Sequence, residues 1–297
     1  MSMNFKLTKN VFIFLFFLGF CISSYSQNRD IDVILIGGQS NATGQGYMQN
    51  IPETFTIDTT VLFYYSRYLG GSGKPMIWQS LCQASETPDK FGVELSLGTE
   101  LQRLSANKKF AIIKHALSGS NLYEQWNPGV SNKDTINFGE EYKKFINTVD
   151  NGLEALRAKG YKPKIRAMVW QQGEGDARDI AGMENSRNYG RNLNRFIKRT
   201  RKHLKVRKML FIYGYVIPVS LNRFTGREEV RESQKKVDQN SGCKISVRRA
   251  FVIPTDDLQL RSDDPNSPYP NDVVHFGTAG VLELGNRFAQ KIYKESK

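Results

Sequence analysis

Two short segments at opposite ends of the 297-residue chain carry residue types that can cooperate in nucleophilic chemistry. Residues 37–41 read Gly-Gly-Gln-Ser-Asn and follow an apolar run, which places Ser40 at the tip of an expected strand. Residues 271–276 read Asn-Asp-Val-Val-His-Phe, so that Asp272 stands three positions before His275. A serine hydroxyl is a weak nucleophile until a base removes its proton, and that base needs an acid to orient it. The two segments therefore predict Ser40 as nucleophile, His275 as base and Asp272 as the orienting acid.

The other two histidines of the chain fit this role less well. His115 ends an apolar run and is expected to be a hydrogen-bonded structural residue. His203 lies in a basic helical segment and is expected to face solvent. A serine that follows glycine is by itself usually a turn residue, so the prediction depends on the pairing of Ser40 with His275.

A third segment, residues 170–176, reads Trp-Gln-Gln-Gly-Glu-Gly-Asp and also follows an apolar run. Gln172, which precedes a glycine, offers an amide donor at a strand tip, although an ordinary polar loop residue would look the same. Glu174 and Asp176 lie two positions apart in one loop, which is a poor arrangement for the facing carboxylates of a glycosidase. We interpret both as structural and expect Glu174 to accept hydrogen bonds from the loop backbone near Ser40.

Together these segments resemble the sialate O-acetylesterase and acetylxylan esterase branch of the SGNH hydrolases, with carbohydrate esterase family six as the nearest relative. The matching segments are residues 38–41, 170–176 and 272–276, with looser matches at 91–95 and at 119–122. They occur in the family's order and reach from the first expected strand to the last expected helix.

The resemblance implies a serine esterase that removes acetyl groups from carbohydrate through an acyl-enzyme, without a cofactor and without a metal. It assigns the stabilisation of the oxyanion to three donors. These are the backbone N–H groups of Ser40 and Gly119 and the side-chain amide of Gln172. It also implies that Asn41 and Glu174 support the site.

The substrate side of the site is less defined. Trp126 and Tyr123 could stack on a sugar ring or pack inside the protein, and the sequence does not decide between the two. The polar, proline-containing stretch at residues 258–271 is expected to form a wall of the site. The expected substrate is an acetylated carbohydrate such as xylan or sialoglycan. The alternatives are a general short-chain or aryl esterase and a glycan-binding protein without catalysis.

Hydrophobic periodicity predicts the elements that must position these residues. Five apolar runs predict buried strands, and amphipathic stripes between them predict helices; the runs are residues 31–36, 110–115, 165–170, 209–213 and 250–253. This alternation predicts an α/β fold with a parallel sheet of about five strands and helices on both faces. The resemblance implies that this fold is a flavodoxin-like three-layer sandwich. In such sheets the site forms beyond the carboxyl ends of the strands.

The first 26 residues have the order of charged, apolar and small residues that is typical of a secretory signal peptide. The apolar run at residues 11–22 is shorter than the ~20 residues that a membrane span requires. We therefore predict cleavage after Ser26, a single esterase domain over residues 27–297, and a periplasmic or extracellular protein without stable membrane insertion. Cys82 and Cys243 would remain, either as a disulfide or as two free thiols.

The chain is strongly basic, with a net charge of +13 that falls to +11 when Lys6 and Lys9 are removed with the signal segment. No nucleic-acid-binding motif accompanies this charge, so acidic glycans are the polyanions that such a surface would favour. The densest basic run, residues 195–208, surrounds an apolar stripe. This pattern predicts a solvated helix face rather than a binding patch.

Overall fold

The structure, a computed structural model, describes residues 29–131 and 133–297, so the predicted signal segment lies outside the described residues. Its strands are β1 (Asp30–Gly38), β2 (Gly46–Tyr47), β3 (Leu62–Tyr65), β4 (Gly70–Gly71), β5 (Gln79–Ser80), β6 (Ala84–Ser85), β7 (Lys90–Phe91), β8 (Phe110–Lys114), β9 (Lys162–Gln171), β10 (Leu210–Gly214) and β11 (Ala250–Ile253). Its α-helices are α1 (Ser40–Thr43), α2 (Glu94–Leu104), α3 (Glu140–Ala158), α4 (Glu174–Ala177), α5 (Met183–His203), α6 (Arg227–Val237) and α7 (Thr278–Glu295).

The central sheet has seven strands in the order β11-β10-β9-β1-β8-β3-β5. The first six of these run parallel, and β5 pairs antiparallel with β3 at the edge. This confirms the predicted α/β class and parallel sheet, and all five predicted strands are present. The two further strands escaped prediction because β3 has four residues and β5 only two, too few for a period-2 pattern to stand out.

The sheet is buried on both faces, as a parallel sheet in an α/β protein must be. Alternate residues of β1 show this, since Val33 and Leu35 belong to one apolar core while Ile34 and Ile36 belong to the other. The first core includes side chains of α3 and α5, and the second includes side chains of α2 and α7. The amphipathic stripes therefore fall where predicted, on both faces of the sheet.

Cys82 and Cys243 are free thiols, so the structure resolves the alternative that the sequence left open. Across residues 29–131 and 133–297, no helix combines the length and apolarity needed to cross a bilayer.

A buried ion pair ties the end of β8 to the segment that carries Ser40. Lys114 Nζ lies 2.6 Å from Glu94 Oε2, and neither side chain is exposed to solvent. The ammonium group also donates to the carbonyl oxygens of Thr43, at 2.9 Å, and Ala84, at 2.6 Å. Burial lowers the pKa of Lys114, and the charge of Glu94 opposes this effect. Because Thr43 ends the helix that begins at Ser40, this pair fixes the helix against the sheet.

We predict that Glu94→Gln lowers the free energy of unfolding by about 3 kcal/mol, because it leaves a buried ammonium group without its counter-charge. The measurement is urea unfolding followed by circular dichroism. The control is Glu100→Gln in the same helix, which removes an ion pair to the largely exposed Arg103 and should cost less than about 1 kcal/mol. Equal losses in the two variants would contradict the role given to the buried pair.

Candidate active site

The turn after β1 presents Ser40 at the carboxyl edge of the sheet. Gly38 adopts φ +138°, and a Cβ atom at this position would lie 2.2 Å from the carbonyl oxygen of Gln171. Only glycine fits such a close approach of two backbones. Ser40 then begins the one-turn helix α1, so its side chain stands at the tip of the central strand.

The three residues predicted to act together lie in a hydrogen-bonded row. His275 Nε2 is 2.9 Å from Ser40 Oγ, and His275 Nδ1 is 2.7 Å from Asp272 Oδ2. Asp272 Oδ1 also accepts the backbone N–H groups of Val274, at 3.1 Å, and His275, at 3.2 Å. These bonds hold the carboxylate and the imidazole in one turn, with the ring directed at the serine.

A guanidinium group that the sequence did not suggest completes the surroundings of Asp272. Arg261 forms a short ion pair with Asp272 Oδ2, and its other end donates to Gln45 Oε1 at 2.6 Å. Burial alone would raise the pKa of Asp272, but the hydrogen bond and charge of His275 and the charge of Arg261 hold this pKa well below its usual range. The carboxylate therefore stays ionised and can stabilise a protonated imidazole.

Asn41, the residue after Ser40, joins the three segments of the candidate site. Its Nδ2 donates to Glu174 Oε1 at 2.9 Å and to the carbonyl oxygen of Val274 at 3.2 Å. Its Oδ1 accepts the N–H of Phe276 at 3.0 Å. Burial raises the pKa of Glu174 above its usual value. Glu174 contacts the segment after Ser40 through the side-chain amide of Asn41, and backbone N–H groups of its own loop, at Gly173 and Glu174, oppose the rise of its pKa.

Two backbone N–H groups beside Ser40 Oγ are available to a ligand. Neither the N–H of Ser40 nor that of Gly119 donates to another described residue, in contrast to the N–H of Ser118, which donates to Glu86 Oε1 at 3.1 Å. Gly119 adopts φ +71°, and a Cβ atom there would meet no atom within 4 Å. The loop is therefore open on the side that faces the cavity.

The side-chain amide of Gln172 does not face this space. Its Nε2 donates to Asp176 Oδ2 at 2.7 Å and lies 3.2 Å from both the carbonyl oxygen of Ser120 and Oε1 of Gln39. Gln172 is fully buried. Because all three partners are acceptors, the atom that faces them must be the nitrogen. The expected contribution of Gln172 to an oxyanion hole therefore does not fit the structure.

The side chain of Gln39, the residue before Ser40, borders the cavity that Gln172 was expected to reach. Its Oε1 accepts the N–H of Gly175 at 2.9 Å and the Nε2 of Gln172, which identifies the oxygen end of the group. Its Nε2 has no partner among the described residues, and Gln39 lines the same cavity as Ser40 and Gly119. The sequence signal was present, since Gln39 adjoins the nucleophile, but adjacent side chains in a tight turn cannot be oriented from sequence.

A cavity of about 360 Å³ opens above Ser40. Its lining includes His275 and Gly119 together with the exposed arginines Arg178 and Arg223, neither of which forms an ion pair with a described residue. A second cavity shares Arg223 and His275 with it and is walled by residues 268–272. This agrees with the expectation that the 258–271 loop forms a wall of the site.

Tyr269 in this wall is an aromatic residue that the sequence analysis missed. It is 47% exposed, and its ring lies 4.0 Å from the guanidinium carbon of Arg261. The two aromatic residues for which the sequence left open a sugar contact or internal packing do not face the cavities. Trp126 is fully buried and packs edge-on against Trp170, so it belongs to the core. Tyr123 is half-buried and does not line either cavity.

A second serine–histidine–acid set lies inside the protein. His115 Nδ1 is 2.9 Å from Ser66 Oγ, and its Nε2 is 3.0 Å from Glu141 Oε2. His115 and Ser66 have no exposed surface, so no substrate can reach them, and His115 is structural as predicted.

His203 is half-buried against the ring of Tyr142, which corrects the expectation that it faces solvent.

Comparisons with known proteins agree with this architecture. The solved structures that resemble the chain include a protein from Arabidopsis thaliana, with a TM-score of 0.65 and 17% identity over 89% of this chain and 98% of that one. NanS has a TM-score of 0.65 and 13% identity over 91% of this chain and 98% of its own. A carbohydrate acetylesterase from Xanthomonas citri has a TM-score of 0.56 and 18% identity over 88% of this chain and 55% of its own. At these identities the likeness shows the fold alone. No curated protein sequence matches the chain.

The family assignment comes from the sequence itself. The profile of a family described as carbohydrate esterase, sialic acid-specific acetylesterase, matches residues 30–294. This range runs from β1 to the end of α7 and includes every segment that builds the site. The chain therefore belongs to the sialic acid-specific acetylesterase family of carbohydrate esterases, the SGNH-type branch that its motifs resemble.

Proposed function

We propose that this carbohydrate esterase removes O-acetyl groups from carbohydrate through an acetyl-enzyme formed on Ser40. The observation that carries the proposal is the row Ser40–His275–Asp272, which opens into a cavity beside two unpaired backbone N–H groups. A nucleophile, its base and donors for an oxyanion are the three requirements of acyl transfer.

In the first step His275 Nε2 takes the proton of Ser40 Oγ while this oxygen attacks the acetyl carbonyl carbon. The negative charge moves to the carbonyl oxygen, where the N–H groups of Ser40 and Gly119 donate to it. The tetrahedral intermediate collapses, the C–O bond to the sugar breaks, and His275 gives its proton to the departing sugar oxygen. Water then attacks the acetyl-enzyme by the same route and releases acetate.

We assign the third oxyanion donor to Gln39 rather than to Gln172. The support is the unpartnered Nε2 of Gln39 at the cavity, together with the three acceptors that occupy Nε2 of Gln172. Asn41 and Glu174 act as positioning residues in this scheme, since their bonds join the nucleophile segment to the loop that carries His275.

The charge of the cavity favours a sugar that carries a carboxylate over neutral xylan. Arg178 and Arg223 present unpaired guanidinium groups at its rim, and guanidinium groups bind carboxylates through two parallel hydrogen bonds. Of the two acids in the lining, Glu86 is engaged with the N–H of Ser118 and Glu174 is buried against Asn41. We therefore propose a sialoglycan or another acetylated acidic sugar as the preferred substrate.

Export completes the proposal. The predicted signal peptide, residues 1–26, would be removed, and the esterase domain would span residues 27–297. The charged, apolar and small-residue order of this segment supports export.

Ser40→Ala should lower kcat for p-nitrophenyl acetate by about 10⁴-fold or more, and His275→Ala should be nearly as damaging, because the two side chains act as one unit. The double variant should be little worse than either single variant. Thermal unfolding should stay close to that of the wild type, since both side chains are small parts of the surface of the cavity. Substantial turnover by a well-folded Ser40→Ala variant would disprove the nucleophile assignment, and would leave a binding protein or another esterase mechanism to be considered.

Gln39→Glu should lower kcat by about a hundredfold, or ~3 kcal/mol, with little change in KM, because it replaces a donor to the oxyanion with a carboxylate oxygen. Its other oxygen can still accept the N–H of Gly175, so the fold should persist. Gln172→Glu is the matched comparison, and it should chiefly lower the unfolding temperature, because it sets a carboxylate against Asp176. If Gln172→Glu instead lowers kcat without lowering the unfolding temperature, while Gln39→Glu keeps the kcat of the wild type, the third oxyanion donor is Gln172 and not Gln39.

The double variant Arg178→Gln/Arg223→Gln should lower kcat/KM for an O-acetylated sialic acid by about fivefold to tenfold, as expected for exposed charge pairs. The uncharged substrate p-nitrophenyl acetate serves as the internal control, and its kcat/KM should stay within about twofold of the wild type. Equal losses on both substrates would show that the arginines support the site generally and do not select acidic sugars.

A further inference from the structure

A large cavity lies at the edge of the sheet opposite Ser40. It measures about 720 Å³ and forms where strands of the central sheet begin, at residues such as Asp32, Phe110 and Ile165. Among the described residues, its lining includes a single acid, Asp32, and eight cationic side chains: Lys108, Arg166, Arg201, Lys202, Lys205, Arg207, Lys208 and Arg249. A cavity with such a charge must attract anions.

The one acid of the lining is already neutralised. Asp32 Oδ1 accepts Arg166 Nε at 2.6 Å, and Lys108 Nζ lies 3.7 Å from its second oxygen. The exposed Lys202 and Lys208 form no ion pair with a described residue. The positive charge of the cavity is therefore not balanced within the protein.

Arg201 is the strongest sign that an anion belongs in this cavity. It is only 7% exposed, and its terminal nitrogens donate to the carbonyl oxygens of Arg248 and Arg249, each at 2.9 Å. Its Nε is buried and has no hydrogen-bond partner among the described residues. Burial, with the nearby charge of Arg249, lowers the pKa of Arg201 to about 10, so the group is still charged at neutral pH. Buried charges are normally paired with an opposite charge, and here a ligand would supply it.

These contacts correct the expectation that residues 195–208 form only a solvated helix face. Lys202, Lys205 and Lys208 are exposed as predicted, but Arg201 is buried and is one of the residues that line the cavity.

We propose that this cavity binds an anionic segment of a polysaccharide, one that carries uronate carboxylates or sulfate groups, as a second carbohydrate site. The inference rests on the carbohydrate class of the substrate, which the family gives, and not on the catalytic roles of Ser40 and His275. A concave site with a buried guanidinium can enclose a single anionic group of a polysaccharide. It fits the flat surface of a bilayer less well. Because β1 separates the cavity from Ser40 by about 20 Å, at ~3.3 Å per residue, the bound segment would lie outside the active site.

The test is affinity electrophoresis of the full chain in native gels that contain polygalacturonate, with dextran as the neutral reference polymer. The Ser40→Ala background is used so that hydrolysis plays no part. Polygalacturonate should retard the protein and dextran should not. Lys202→Gln/Lys208→Gln should weaken the apparent affinity by about fivefold or more, as expected for paired charges at a binding site.

The matched control is Lys143→Gln/Lys235→Gln, which removes the same charge from two exposed lysines outside the cavity and should bind as the parent does. Arg201→Gln should lose most of the binding, provided that circular dichroism shows a native fold. Equal weakening in the two lysine pairs would mean that diffuse charge causes the retardation, and would overturn the proposal. The proposal would also be overturned if polygalacturonate did not retard the protein, or if phosphatidylglycerol vesicles retained the protein and polygalacturonate did not. Turnover of p-nitrophenyl acetate by the wild-type enzyme, with Ser40 intact, is measured separately, so a failure here is distinct from a failure of the proposed mechanism.

Discussion

The side-chain amide of Asn41 is the interaction on which the site depends, because it binds three segments that lie far apart in the sequence. One end of the amide contacts Glu174 and Val274, and the other accepts the N–H of Phe276. All three groups are buried, so water cannot replace a lost bond at low cost. The relative position of Ser40 and His275 therefore depends on the residue next to Ser40, and not on the contacts of Ser40 and His275 alone.

Two buried ion pairs, Lys114–Glu94 and Arg261–Asp272, support the site. Beneath Ser40, Lys114 and Glu94 pair without any solvent contact and hold the carbonyl oxygen of Thr43. Beside it, Arg261 joins Asp272 to Gln45 and so links the loop that carries His275 to the segment after the nucleophile. Such pairs add little net stability, but each becomes costly if one partner is lost.

The sequence predicted the parts of this site that depend on local pattern. Ser40 follows an apolar run, and Asp272 and His275 lie within one turn, so their roles could be proposed from spacing. The roles that the sequence could not predict, those of Gln172 and Trp126, depend on contacts between distant segments. Nothing near Gln172 in the sequence indicates that Asp176 and Ser120 occupy its amide, and nothing near Trp126 indicates that Trp170 covers it. The prediction of a solvated helix face was wrong at Arg201 for a related reason, since a basic helical run looks solvated until its neighbours are known.

The most direct test of the account is to trap the acyl-enzyme. The wild type would be mixed with excess p-nitrophenyl acetate, quenched in acid within the first turnovers, and analysed by intact mass and peptide mapping. The account predicts a gain of one acetyl group, located on Ser40 and absent from Ser40→Ala. A wild type that turns over substrate without acetylation, or that carries the acetyl group on another residue, would contradict it.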